Sequence, residues 1–452
     1  MSVKIVLVGA GSSNFGTGTI GDIFGNNTLR GAHVCLHDIH EGRLSKMRAK
    51  AEDAIEEYKL NFSLSATLNR REAFSDADFI IISIEVGDRF KLWEEDWRIP
   101  QQYGIQQVYG ENGGAGGLFH ALRIIPPILE ICRDAIDIAP HAHFFCYSNP
   151  MTAITTTVHR AFPGIKFTGL CHEIASLERY LPIILNKDFD ELECIAGGLN
   201  HFSCLLEARD KKTNKDMYPE IMKKAYEFFR TEPGYSDIWN HYLKTKTFAF
   251  AEGSRNRAKV SSNFEWADRR LFKFIMENYG LLPITVDSHF GEYIAWAWDI
   301  ADHRGILDFF DYYRISCAQW VEKKVSLECN ERVVPIIEGI LTDSNYLEAA
   351  VNIPNAGYID DLPEWIAVEV PAYIRKSEIK GKHLPNIQKG FLALLRNYCG
   401  VYDLTAEAVL RGSREYAMQA LLANPVINRA LPLRNMLDRM IDQQQEWLAY
   451  LT

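Results

Sequence analysis

Lys4-Ile-Val-Leu-Val8 runs without a break into Gly9-Ala10-Gly11-Ser12-Ser13-Asn14-Phe15-Gly16. An apolar strand that ends in a glycine-rich turn and feeds a helix opens a βαβ unit. The glycines let the backbone approach a pyrophosphate, and the helix N-terminus offers free amide donors. Gly9, Gly11, Ser12, Asn14 and Phe15 are therefore candidate cofactor contacts. The match to G-x-G-x-x-G is incomplete, because Asn14 stands where the third glycine would be, and such turns also occur without a nucleotide. The next β-branched run ends at Asp38, whose carboxylate could accept hydrogen bonds from ribose hydroxyls and so argues for NAD over NADP, or could simply close a strand-end turn.

The rhythm of the first half extends this unit. Val3 to Val8, His33 to Asp38, Phe79 to Ile84, His143 to Ser148 and Lys166 to Leu170 read as strands; Glu41 to Tyr58 and Leu118 to Ile136 carry apolar residues at helical spacing. Parallel strands need such crossovers, so the expected fold is α/β, a Rossmann-type doubly wound parallel sheet. After about residue 190 the pattern changes. Cys194 to Leu199 and Phe202 to Ala208 read as strands, and Tyr218 to Arg230, Ala267 to Tyr279, Asp403 to Asn424 and Pro432 to Leu451 as helices. The expected organisation is a cofactor-binding domain over 1–190 and a mixed α+β lobe for substrate and oligomerisation over 191–452.

Composition limits the ligand class. A net charge of −10, with acidic and basic residues interspersed, gives no reason to expect a nucleic-acid or membrane partner, so a small molecule is sought. The nine cysteines form no C-x-x-C pair and no close, even framework, which fits reduced thiols in the cytoplasm. The start of the chain lacks a basic region and cleavage site, and no uninterrupted apolar run reaches membrane-spanning length.

Three segments return to the sheet edge where ligands bind in open α/β folds: Tyr109-Gly110-Glu111-Asn112-Gly113-Gly114-Ala115-Gly116-Gly117, Ser148-Asn149-Pro150 and Leu170-Cys171-His172-Glu173. So dense a glycine run is entropically costly unless backbone must take unusual angles or approach a ligand, and a cofactor-side loop would supply the reason. Cys171 ends one strand and His201 sits between two, so they could converge on a divalent metal with open positions, or be an ordinary buried thiol and a structural imidazole. Asp287-Ser288-His289-Phe290-Gly291-Glu292-Tyr293 gathers groups able to act as acid or base, or is a helix start capped by Asp287 or Ser288.

Taken in order, Gly9-Ala10-Gly11-Ser12, Gly110-Glu111 through Gly116-Gly117, Ser148-Asn149-Pro150, Gly169-Leu170-Cys171-His172-Glu173, Gly198-Leu199-Asn200-His201 and Val351-Asn352-Ile353-Pro354-Asn355 make the chain resemble glycoside hydrolase family 4 over nearly its whole length. The resemblance implies a lactate/malate dehydrogenase-like fold, NAD, and a divalent cation, typically manganese, on Cys171 and His201, with Asn149 touching the sugar. Cys-His-Glu and the 287–293 segment are similar to the α-galacturonidase branch, whereas Ile294 to Ile300 departs from that branch. A uronate would need a cation, for which Arg98, Arg123, Arg255, Arg257 and Lys259 are candidates.

The implied reaction is cleavage of an α-glycoside, an α-galacturonide among the options, by transient oxidation at C3 with NAD, metal-assisted loss of the C2 proton, elimination of the aglycone and addition of water. Asp287 is the expected base, with His289 or Tyr293 as substitutes. His172 would protonate the leaving group or bind substrate, and Glu111, Asn149 and His289 would bind sugar. The alternatives are an α-galactosidase or α-glucosidase of the same family, a dehydrogenase releasing oxidised product, or a non-catalytic NAD-binding protein. A homodimer or homotetramer is expected from the family pattern.

Overall fold

The computed structural model describes residues 3–12, 15–230, 235–247, 269–301, 311, 314–315, 324–327, 331–384 and 386–452. Within them twelve strands form one sheet: β1 (Lys4–Val8), β2 (His33–His37), β3 (Ser63–Thr67), β4 (Phe79–Ile82), β5 (His143–Cys146), β6 (Phe167–Gly169), β7 (Leu192–Leu199), β8 (Phe202–Asp210), β9 (Leu282–Pro283), β10 (Tyr346–Pro354), β11 (Ala367–Ile374) and β12 (Ile379–Gly381). The order is β3-β2-β1-β4-β5-β6-β10-β11-β7-β8-β9, with β12 on β11.

The first six strands in that order are parallel, as expected. Ile5, Val6, Leu7, Ile80, Ile81, Ile82, Phe144 and Phe145 are essentially without exposure. Strands covered on both faces read as continuous apolar runs, which is why five of these six stand out in the sequence. β3 does not, because it is an edge strand of partly exposed residues whose Ser63 and Ser65 hydroxyls bond to the ring of His33. Beyond β6 the pairing turns antiparallel: Gly169 pairs with Asn352 of β10, and Glu369 of β11 pairs with Gly198 of β7. The second half thus continues the sheet of the first across residue 190.

Helix Gly114–Ile138 is long and apolar enough to cross a membrane by composition, but 83% of its apolar window is buried inside the fold. It is a core helix, longer at its start than the spacing predicted. The segment expected as one helix over Asp403 to Asn424 is two, Lys389–Arg411 and Arg414–Ala423. Gly412 ends the first at φ 62°, and the Ser413 hydroxyl caps the second by accepting from the Tyr416 amide. The last expected helix likewise divides, into Leu433–Gln443 and Gln445–Leu448.

Candidate active site

The turn after β1 is built by close backbone approach. Gly9 has φ 84°, and a Cβ there would lie 2.0 Å from the carbonyl oxygen of Ser83 beyond β4. The tight helix-to-strand contact that the missing third glycine would give comes from Gly16, where a Cβ would lie 2.2 Å from the Ala10 carbonyl oxygen. Asp38 Oδ2 accepts from the Gly11 amide at 2.8 Å and Oδ1 from the His40 amide at 2.8 Å, so this carboxylate braces the turn. The Ser12 amide donates to Gly9 and its carbonyl accepts from Gly16. Asn14 lies outside the described residues. Phe15 packs on Tyr147 at 4.6 Å between ring centroids, and Tyr147 on His172 at 5.5 Å.

At the far ends of β5 and β6 a second group converges. His201 is the second residue of the two-residue turn joining β7 to β8, with φ 61°, a left-handed angle that non-glycine residues adopt uncommonly. Its Nε2 lies 3.5 Å from Cys171 Sγ and 3.5 Å from Glu173 Oε1. Its Nδ1 faces Asn112 Nδ2 at 2.9 Å and His289 Nδ1 at 2.8 Å. Glu292 Oε1 stands 4.0 Å from His201 and 3.9 Å from His289, while its Oε2 accepts from the Glu111 and Asn112 amides at 2.9 and 2.8 Å. The structure therefore brings Cys171, His201, His289 and Glu111 together with three residues that the sequence reading passed over, Glu173, Glu292 and Asn112. The first of these stood in the Cys-His-Glu motif and the second in the 287–293 segment, so spacing held the signal.

This cluster carries more negative charge than it can hold alone. Burial, then neighbouring Glu369, push the Glu173 carboxyl well above the usual range. Burial and Glu111 bring Glu292 up to about 8. Burial, Glu173 and Glu369 raise the Cys171 thiol, and burial lowers His201. Glu173 Oε2, Glu292 Oε1 and Asn149 Oδ1 are buried acceptors with no hydrogen-bond donor. Thiol, imidazole and carboxylate donors within 4.8 Å of one another, beside orphaned oxygens, fit a divalent cation.

Other expected residues lie differently. The Asp287 carboxylate accepts from the Leu271 and Phe272 amides at 3.1 and 3.4 Å, capping the helix Arg270–Tyr279. The expected base thus stands against the first turn of that helix. The Tyr293 hydroxyl is buried and donates to the Asn200 carbonyl at 3.1 Å. His172, 57% exposed along its side chain, has Nε2 2.7 Å from Glu331 Oε2. Glu111 accepts from Arg89 at 2.7 Å.

The glycine run permits close backbone packing: a Cβ on Gly113 would meet the Glu292 carbonyl oxygen at 2.5 Å, and one on Gly117 the Asn112 carbonyl carbon at 2.2 Å. Of the cations considered for a uronate, Arg98 pairs with Glu94 at the surface and buried Arg123 is held by Asp96 and Gln444. Arg255, Arg257 and Lys259 lie outside the described residues.

Comparison with known proteins agrees with this geometry. The family model described as family 4 glycosyl hydrolase matches residues 4–187, and that of the family 4 glycosyl hydrolase C-terminal domain matches residues 196–427. An α-glucosidase from Erwinia rhapontici is 55% identical over 100% of both chains. An α-galacturonidase from Thermoanaerobacterium saccharolyticum is 25% identical over 99% of this chain and 96% of its own. Among solved structures, a 6-phospho-α-glucosidase from gut microorganisms in complex with NAD and Mn2+ superposes over 100% of both chains, with a TM-score of 0.80 and 22% identity.

Proposed function

The chain belongs to glycosyl hydrolase family 4, and from that premise we propose that it hydrolyses α-glucosides with NAD and a divalent metal, manganese by preference, as resident cofactors. The observation that carries the proposal is the convergence of Cys171, His201 and Glu173 beside orphaned buried oxygens. The 55% identity to an α-glucosidase, against 25% to an α-galacturonidase, favours a glucoside over a uronate.

Cys171 and His201, with Glu173 beside them, would hold the metal; the turn from Gly9 to Phe15, braced by Asp38, would hold NAD. Together these groups would supply a reversible hydride acceptor and a Lewis acid for the sugar hydroxyls. Asn149 Oδ1, buried and unpartnered, accepts from a sugar hydroxyl. His172, oriented by Glu331, holds the proton for the departing aglycone. His289, whose ring stands within 4.0 Å of carboxylate oxygens of Glu111, Glu173 and Glu292, takes up the C2 proton. We further read residues 1–190 as the cofactor domain and 191–452 as the substrate and oligomerisation lobe. The working form would be a cytoplasmic homodimer or homotetramer with no nucleic-acid or membrane partner.

The test is aglycone release from nitrophenyl α-glucoside, α-galactoside and α-galacturonide by chelator-stripped protein, with NAD and Mn2+ added singly and together. Release from the glucoside only with both additions, and no accumulating NADH, is expected. Preference for the galacturonide would overturn the substrate, and stoichiometric NADH would replace hydrolysis with net oxidation.

A further inference from the structure

Behind the metal-binding turn lies a carboxylate that belongs to no ligand set. Glu369, on β11, is 2% exposed. Its Oε2 accepts from Asn200 Nδ2 at 2.7 Å and Asn352 Nδ2 at 3.4 Å, and its Oε1 from Ser203 Oγ at 2.6 Å. Asn200 immediately precedes His201 and Ser203 follows it by two, so one side chain grips both sides of the turn. Asn200 is fixed twice more, its amide donating to Thr152 Oγ1 at 3.2 Å and its carbonyl accepting from the Tyr293 hydroxyl.

Backbone register puts Glu369 on the row that joins the two metal-binding segments. Gly169, two residues before Cys171, pairs with Asn352; Asn352 pairs with Glu369; Glu369 pairs with Gly198, three residues before His201. A change at this point is therefore felt by both segments at once.

All three donors to Glu369 are neutral, and among the described residues no Lys, Arg or His forms an ion pair with it. A buried carboxylate held only by neutral donors is costly unless a cation lies close by. Register joins Glu369 to the segments that carry Cys171 and His201, so the compensating charge belongs where those segments converge.

We propose that Glu369 is a positioning residue for the metal: without touching the ion, it clamps the Asn200–Ser203 turn that presents His201 and adds a buried negative charge that the ion offsets. This rests on the reading of Cys171 and His201 as metal ligands. Partners beyond the ligands orient them and set affinity, and losing one costs about 10–100-fold in metal binding.

Glu369→Gln tests it with little change in shape, since the amide oxygen can still accept from Asn200 while its NH2 group donates to Ser203 Oγ. Mn2+ alone is titrated into the chelator-stripped full chain by calorimetry, with NAD affinity and the urea midpoint of the metal-free protein measured in parallel. The expected result is a Mn2+ Kd raised about 10–100-fold, NAD affinity unchanged, and a metal-free midpoint equal to or above that of the unaltered protein. A Kd within twofold of the unaltered protein's would overturn the proposal, as would a fall of midpoint, NAD affinity and metal affinity together. Should Glu369→Gln not fold, Ser203→Ala, which loosens the clamp and keeps the charge, should weaken Mn2+ binding in the same direction. If the unaltered protein binds no Mn2+, the metal reading itself fails, whereas tight binding by both proteins removes Glu369 alone.

Discussion

Thr285 carries a β-branched side chain at φ 82°, an angle that costs on the order of 1–3 kcal/mol and persists only where surroundings enforce it. Here its amide donates to Ser176 Oγ at 3.0 Å and its hydroxyl donates to Glu173 Oε1. Strain is thus spent on orienting a carboxylate of the candidate metal cluster. Thr285→Gly should relieve the angle and leave unfolding free energy within about 1 kcal/mol of the original or above it. It should also lower kcat/KM by at least about tenfold, because Glu173 loses its hydroxyl partner. Urea unfolding and steady-state kinetics on one preparation separate the two effects. Asp287 gives the opposite case. A carboxylate occupied by two helix amides is a cap, so Asp287→Ala should cost about 1–2 kcal/mol of stability. Asp287→Asn, which keeps an accepting oxygen, should retain most of both stability and turnover. Abolished turnover in a stably folded Asp287→Asn would instead assign it the role of base.

At the scale of elements, what the sequence made legible follows burial. Strands covered on both faces announce themselves by unbroken apolar runs, whereas β3 hides because an edge strand can be written in Ser and Thr. β10 and β11 carry a weaker strand signal for another reason: Asn352 and Glu369 interrupt apolar runs with polar groups that only the folded cluster explains. The split at Gly412-Ser413 was visible as a Gly followed by a capping Ser, and helical periodicity on either side masked it. Of the site, the Cys171 and His201 motifs were legible, while the surroundings of Glu173, Glu292 and Asp287 depend on which hydroxyl or backbone amides each carboxylate meets in the fold. The helix Phe15–Gly25 shows how spacing can mislead and still be tested. Gly16 has the Ala10 carbonyl where a Cβ would go, whereas Gly18 has nothing nearer than Glu331 Oε1 at 3.9 Å. Gly16→Ala should push the helix off the turn and weaken NAD binding at least about tenfold, as fits a glycine needed for close helix-to-strand packing. Gly18→Ala should leave NAD affinity alone and stabilise by up to about 1 kcal/mol through helix propensity. Equal NAD affinity in both would mean that the turn does not carry the cofactor.

Across the whole molecule the site sits where two kinds of pairing meet. The parallel strands bring Gly9 and Cys171 to one edge, and the antiparallel continuation from β10 to β9 delivers His201, with His289 following β9. Candidate metal ligands from both halves of the chain share one cluster, so a cation bound there would couple the halves thermodynamically. A ligand that binds only the folded state stabilises by about 2.7 kcal/mol at a hundred times its Kd. Mn2+ at that concentration should raise the unfolding free energy by about this amount in a single urea transition seen alike by tryptophan fluorescence and circular dichroism. Cys171→Ser, altering the first half, and His201→Ala, altering the second, should each remove the Mn2+ increment while leaving an increment from NAD. Two transitions, only one of them shifted by Mn2+, would instead mean that the metal is held within one half and that the continuous sheet does not make the halves unfold together.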